Sequence, residues 1–468
     1  MTPDAPAACI QAAAPDPAAA RAHYARGTAL ERQHDLPAAE AAYRAAIDND
    51  PSMAVAHDRL GFVLGQQGRT ADALEEFRRA IALDPRSADA QYHLGATLWW
   101  TKQVDAAREP LERAVALRPA HADSRYYLGI VKRQTGDVAG AVRELRAAIG
   151  IDPKLAVAHL QLGAALQAWG DLDGAIAAFE RATALDPSRA DAANSLGLAL
   201  MQKGEAARAA STLRDAVARH PDFGTARLNL GTALLQSGDV NAAIDTYRAL
   251  IDREPANAEA WYDLGLALKQ KDDFAAAEGA FRTALRLDAA MAEAPYSLGA
   301  VLWQTERADE AIGAFREAIA RRPSYAEAHF MLGTILKQRG DPDGALAAFR
   351  EAARANREYA EAYTSIGQLL ASKHEDTAAA AAFAEADRLS RRKADTQAAA
   401  FAMSAGRDRL ARDDLRGAIA QFREAARLAP EDAQAHYQLA LALRRSGATG
   451  EARAEYETAR RLAPYLQW

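Results

Sequence analysis

The chain has 468 residues, 50% of them hydrophobic, a formal net charge of −6 and a single cysteine. One cysteine excludes an internal disulfide, and without a run of about 18 apolar residues the sequence offers no transmembrane helix. The acidic balance argues against a surface that reads nucleic acid, whose affinity comes largely from neutralising phosphates.

Residues 1–19 are rich in alanine and proline. They have neither the basic start nor the apolar stretch of a signal peptide, and they read as a disordered lead-in carrying Cys9. From Ala20 a 34-residue period takes over, marked by Gly27, Gly61, Gly95, Gly129, Gly163, Gly197, Gly231, Gly265, Gly299, Gly333 and Gly367. A fixed period of this length marks stacked units, each in contact only with its neighbours. Twelve residues after the glycine comes alanine, from Ala39 and Ala73 to Ala379. Four further on stands a large apolar residue, such as Tyr43, Phe77, Leu111, Phe179 or Phe281. Proline often closes the unit, as at Pro51, Pro85, Pro119, Pro153, Pro187, Pro221, Pro255 and Pro323.

Within one unit Leu230, Ala233, Leu234 and Ser237 fall at helical spacing, and so do Ala243, Tyr247 and Leu250. Between the two helices glycine recurs as Gly68, Gly136, Gly170, Gly204, Gly238, Gly340 and Gly447, where a left-handed residue can close a helix. Aspartate often follows, as Asp137, Asp171, Asp239 and Asp341, and can accept from the free amides that start the next helix. The 34-spaced glycine reads as a packing residue that lets helices approach closely. Ala289 and Arg357 replace the closing proline in two repeats, which predicts looser turns there.

Eleven repeats run over 20–393, and Ala394–Ala398 then shifts the phase by five residues. Two further repeats cover 399–432 and 433–466, leaving a tail at 467–468. The shift predicts a longer helix or a short linker. The basic cluster Arg388, Arg391, Arg392 and Lys393 reads as a solvated helix end suited to the macrodipole, in preference to a nucleic-acid or partner patch.

The pattern of leucine-glycine, alanine, large apolar residue, small residue and proline resembles the tetratricopeptide repeat (TPR) family. Trp261-Tyr262-Asp263-Leu264-Gly265 matches its opening best, and the resemblance covers residues 20–466. It implies an all-α solenoid of helical hairpins, a right-handed superhelix of about 13 repeats whose first helices line a concave groove. The implied function is a non-enzymatic scaffold binding protein or peptide partners in that groove. The alternatives are a structural assembly module of a bacterial envelope or secretion complex and a substrate-recruiting subunit of a separate enzyme.

No phosphate-loop, dinucleotide or zinc-protease motif occurs, and no stretch is left over for an enzyme domain, so neither catalytic residues, cofactor nor metal is expected. His23, His57, His159, His329 and His436 share one repeat position and read as packing residues. The resemblance places the groove six and three residues before the glycine and one, four and five after it. The candidate residues there are Asp89, Tyr92, Trp99, Trp100, Asp123, Tyr126, Arg133, Glu259, Tyr262, Lys269, Glu293, Tyr296, Trp303, Glu327, Phe330 and Lys337. The row of acids predicts a partner of basic and apolar character, and the aromatics suit protein contact. Neither nucleic acid nor direct membrane insertion is expected. The expected location is cytoplasmic, or an envelope compartment if the N-terminus is truncated. The oligomeric state stays open.

Overall fold

The computed structural model describes residues 16–463, so Cys9, Pro464 and the 467–468 tail lie outside the described residues. Every regular element among the described residues is an α-helix. The chain divides into two compact units, residues 1–237 and 238–468.

The first unit begins with α1 (Pro17–Arg32), α2 (Leu36–Asn49), α3 (Ala54–Gln66), α4 (Thr70–Leu83), α5 (Ala88–Trp100) and α6 (Val104–Leu117). It continues with α7 (Ala122–Gln134), α8 (Val138–Ile151), α9 (Ala156–Trp169), α10 (Leu172–Leu185), α11 (Ala190–Gln202), α12 (Ala206–Arg219) and α13 (Gly224–Gln236). The second unit holds α14 (Val240–Ile251), α15 (Ala258–Gln270), α16 (Phe274–Leu287), α17 (Glu293–Gln304), α18 (Ala308–Arg321), α19 (Ala326–Gln338), α20 (Pro342–Ala355) and α21 (Ala360–Ser372). It closes with α22 (Asp376–Ala411), α23 (Leu415–Leu428), α24 (Ala433–Arg445) and α25 (Thr449–Leu462). Within each unit, helices pair as hairpins and each pair packs on the next.

In most hairpins the repeat glycine meets a ring, or in three of them a leucine, of the second helix. A Cβ built on Gly61 would lie 2.7 Å from Phe77 Cε1, and one on Gly163 or Gly265 would lie 2.5 Å from the ring of Phe179 or Phe281. Leu111 takes the same place over Gly95, at 2.6 Å. The close approach is therefore inside a repeat, between its first and second helix. Phe77, Phe179, Phe281, Phe315 and Phe349 are all buried as a result.

The turn between the two helices needs a left-handed residue. All seven glycines named for it have positive φ, from 79° at Gly340 to 87° at Gly238. Six repeats make the same turn with His34, Lys102, Asp272, Glu306, His374 or Asp413, at φ of 59–64°. The aspartate that follows caps the second helix as anticipated: Asp137 accepts from Gly140 N at 2.8 Å and Asp341 from Gly344 N at 2.8 Å.

Two kinds of bond hold the turns that close the repeats. An aspartate at the helix end accepts from the amide two residues on, as Asp50 does from Ser52 N at 3.0 Å. The turns without proline keep this bond: Asp288 accepts from Ala290 N and Asn356 from Glu358 N, both at 2.9 Å. Next, a side chain of the following first helix reaches back to the carbonyl that opens the turn. His159 Nε2 lies 3.1 Å from Pro153 O, His329 Nε2 3.0 Å from Pro323 O, and Trp261 Nε1 donates to Pro255 O at 3.1 Å. Imidazole and indole share this position because both place an N–H at the required reach. That is the structural work of His57, His159, His329 and His436.

One boundary differs from the sequence reading. Asp16 accepts from Ala18 N and Ala19 N and starts α1 at Pro17, inside the lead-in expected over 1–19; residues 1–15 lie outside the described residues. The segment 394–398 lies inside α22, a helix of 36 residues, the longer helix of the two forms that the phase shift predicts. That helix is both the second helix of the eleventh repeat and the first of the twelfth. The basic cluster 388–393 consequently sits in mid-helix, and the helix-end reading of its charge lapses.

Candidate partner-binding face

In the first unit the first helices α3, α5, α7, α9, α11 and α13 touch one another in sequence, while second helices pack mainly against first helices. Polar pairs between successive first helices fix their register. His93 Nδ1 lies 2.7 Å from Asp58 Oδ1, Asn229 donates to Asn194 at 2.7 Å, and Trp99 Nε1 donates to Gln134 Oε1 at 2.8 Å. Each pair joins residues 35 apart in sequence.

The aromatic candidates of this unit converge on Tyr127. Trp99 meets it edge-on with ring centroids 5.4 Å apart, Tyr126 at 5.1 Å and Tyr92 at 5.9 Å. Trp100 Nε1 donates to the Tyr127 hydroxyl at 3.3 Å, and the two tryptophans lie 5.1 Å apart. Beside them an open cleft of about 420 Å³ is walled by Phe62, Tyr92, His93, Thr97, Trp100 and Tyr127. Trp100 is 67% exposed, which is unusual for a ring that packing alone would bury. Burial raises the pKa of Tyr92, and it pushes Tyr126 up to about 12, so both hydroxyls stay neutral donors near pH 7.

The charged candidates divide. Asp89 accepts two bonds from Arg118, at 2.7 and 3.0 Å, and this pairing holds its carboxyl below the usual range. Asp123 is exposed, 4.0 Å from His121 Nε2. Arg133 donates to Gln161 Oε1 at 3.1 Å, while its Nε is buried without a partner among the described residues.

In the second unit the rings are more deeply engaged. Tyr296 lies 5.7 Å from the core ring Phe315 and 4.9 Å from Tyr325; Phe330 lies 5.3 Å from Phe349 and 5.0 Å from Tyr359. Tyr262 packs 5.7 Å from Phe281, with its hydroxyl 3.3 Å from Ser297 Oγ. Tyr296 and Phe330 thus bridge a hairpin core to the next turn. Trp303 is half-buried at the end of α17, and Lys337 donates to Gln368 at 2.9 Å. Lys269 is half-buried on α15. Glu293 pairs with Arg322, which also lies 4.8 Å over the Tyr325 ring. Glu259 and Glu327 are exposed. Beside Glu259, burial and then that neighbouring charge push Asp263 up to about 7. No donor among the described residues reaches its carboxylate.

The structure thus gathers Tyr92, Trp99, Trp100 and Tyr126 into one cluster and pairs two of the acids with arginines. Sequence reasoning passed over Phe62, His93, Tyr127, Tyr325 and Tyr359. The first signal for them is the 35-residue offset between facing positions of successive first helices. Among the described residues no group of three His, Cys, Asp or Glu could hold a metal ion, and no helix is long and apolar enough to cross a membrane.

Two family models, each described as a tetratricopeptide repeat, match the chain. One covers residues 3–54, 160–223, 228–292, 262–326, 296–354, 330–395 and 403–466, and the other 65–129. No curated protein matches it. Solved structures similar to it include MamA, at 28% identity over 35% of this chain and 96% of that one, with a TM-score of 0.33. YrrB, described as a TPR protein with an unusual peptide-binding site, is 26% identical over 39% of this chain and 95% of its own, with a TM-score of 0.36. The Cut9–Hcn1 hetero-tetramer of the APC/C matches over 95% of this chain and 94% of that one, at 16% identity and a TM-score of 0.37. Superpositions this loose carry no argument about function. The family models reach most of the chain. The chain belongs to the tetratricopeptide repeat family, whose members are generally protein-interaction scaffolds.

Proposed function

We propose that the chain is a non-enzymatic scaffold that seats a protein or peptide segment along its first helices, with the aromatic cleft beside Trp100 as an anchor site. The observation that carries this reading is the open cleft of about 420 Å³ with Trp100 67% exposed at its rim. A rigid ring held at a cleft edge by one hydrogen bond offers apolar area at little entropic cost, the usual chemistry of an interface anchor. Exposed Asp123, on the same helix as Tyr126 and Tyr127, favours lysine or arginine flanking the apolar anchor.

Selection from a random peptide library displayed on phage tests the proposal. Enriched sequences should combine an aromatic or leucine anchor with basic neighbours, and their binding should weaken as salt rises. Trp100→Ala should cost about 2 kcal/mol or more in affinity if the ring is a hot spot, with an unchanged circular dichroism spectrum. Enrichment of acidic peptides, or peptides indifferent to Trp100→Ala, would refute the reading.

A further inference from the structure

Four residues before the repeat glycine, most first helices carry a large side chain that plugs the closing turn. His159, His329 and Trp261 reach from there to the turn carbonyl six residues back. Arg125 and Arg227 do the same with their guanidinium groups, at 2.7 and 2.9 Å. His57 and His436 are also held on a second side, where Nδ1 lies 2.6 Å from a glutamate nineteen residues on, Glu76 or Glu455. The carbonyl six residues before and the side chain nineteen after are thus two walls of one slot.

The sixth repeat has Ala193 at this position. A methyl group reaches neither wall, and the slot becomes an open cleft of about 370 Å³. Pro187 and Thr212, the counterparts of Pro51 and Glu76, both line it, with Ala190, Ala193, Ala216 and Arg219. Its hydrogen bonding is incomplete as well. Arg219 Nη1 donates to Pro187 O at 3.3 Å, which is long for such a bond. In the ninth repeat, where Pro295 has no donor to offer, Arg321 Nε makes the equivalent bond to Ala289 O at 2.7 Å. The Thr212 hydroxyl has no partner among the described residues, and His220, which also borders the cleft, has its Nε2 buried without one.

Charge gives the cleft no preferred sign, because Glu180 and Asp215 border it together with Arg189 and Arg219. Shape and one acceptor therefore decide the ligand. A cavity of roughly 150 Å³ left by a large-to-small change already takes benzene, and this cleft is larger and opens to solvent. Indole suits it better than imidazole. Its single polar atom is satisfied by Pro187 O, whereas the second nitrogen of imidazole would meet Thr212 where His57 and His436 find a carboxylate.

We propose that the cleft at Ala193 takes the indole of a tryptophan carried on a partner chain, its N–H donating to Pro187 O as Trp261 Nε1 donates to Pro255 O. The partner's ring completes a repeat that lacks a ring of its own at this place. The site does not depend on the cleft at Trp100.

The test titrates N-acetyltryptophanamide, a neutral form of tryptophan as it occurs within a chain, into the full chain labelled at its alanine methyl groups, read by NMR. The signals of Ala190, Ala193 and Ala216 should shift saturably. The analogue methylated on the indole nitrogen keeps the shape without the N–H and should bind at least fivefold more weakly. Ala193→Trp should melt no lower than the wild type and lose the response at Ala190 and Ala216, and Ala193→His should do likewise with the ring that His159 carries. Trp100→Ala should leave the titration as it was. Silence at these methyl groups, equal binding of the methylated analogue, or undiminished binding to the two Ala193 variants overturns the proposal. So does free tryptophan binding at least fivefold more tightly than the amide, which would assign the cleft to the amino acid instead of a partner chain. The comparison of the two amides on the unaltered chain decides the matter even where a variant fails to fold.

Discussion

Six hairpin turns hold a side chain in backbone geometry that suits glycine, and each stores a small strain. Lys102, at φ 64°, makes no side-chain bond or ion pair among the described residues. Lys102→Gly should therefore raise stability by about 1 kcal/mol in urea denaturation. Asp272→Gly should gain less, since aspartate tolerates this region better. The opposite change is costly at a repeat glycine. Gly265→Ala puts a methyl 2.5 Å from the Phe281 ring, and overpacking of this kind should cost about 1–3 kcal/mol. Asp263 adds a pH dependence. Its carboxyl, near 3.8 when unfolded and about 7 when folded, holds more protons in the native state between those values. Stability from this group is then present below about pH 4 and is lost as pH rises through 7. Asp263→Asn should flatten that slope and stabilise the chain at pH 8 by on the order of 2 kcal/mol, readable by thermal unfolding across pH.

At the scale of the element, α22 invites a direct test. Deleting Ala394–Ala398 restores the 34-residue period, yet it would drive Phe401 into the slot that Ala362 and its equivalents fill at 0% exposure. The deletion alone should lose stability and expose apolar surface to dye, whereas the deletion combined with Phe401→Ala should recover a cooperative transition. Overpacking of this size accounts for at least about 1–3 kcal/mol between the two. The hairpins were legible in the sequence because their determinants are local: glycine at the turn, aspartate at the cap, and a ring sixteen residues after a glycine. The phase shift at 394–398 was legible too, as arithmetic. What escaped was whatever depends on two repeats at once. Asp89 reads as a free acid until Arg118, 29 residues on, is seen to clasp it. Tyr127 and His93 stand two residues before the repeat glycine, outside the groove positions, and their rings become part of a cleft only when α3, α5 and α7 are set side by side. Phe401 looks like an ordinary apolar residue in the sequence, since its oddity shows only against the small residue that the earlier repeats carry at that phase.

For the molecule as a whole, energetics should follow neighbours and not the global fold. Gly265→Leu should speed hydrogen exchange in α15 and α16 and, less so, in α17 and α18, leaving α1–α9 and α23–α25 at their wild-type rates. Uniform acceleration through every helix would contradict nearest-neighbour coupling. The uninterrupted α22 carries a further consequence of a geometric kind. Along its bare stretch no packed neighbour dictates direction, so the last repeats point wherever the count of residues leaves them. Each residue added there turns them by about 100° and advances them about 1.5 Å. Five extra residues amount to one full revolution and some 140° more. Length in that segment is thus a dial for azimuth, and a single inserted alanine would re-aim two whole repeats without altering one contact inside them.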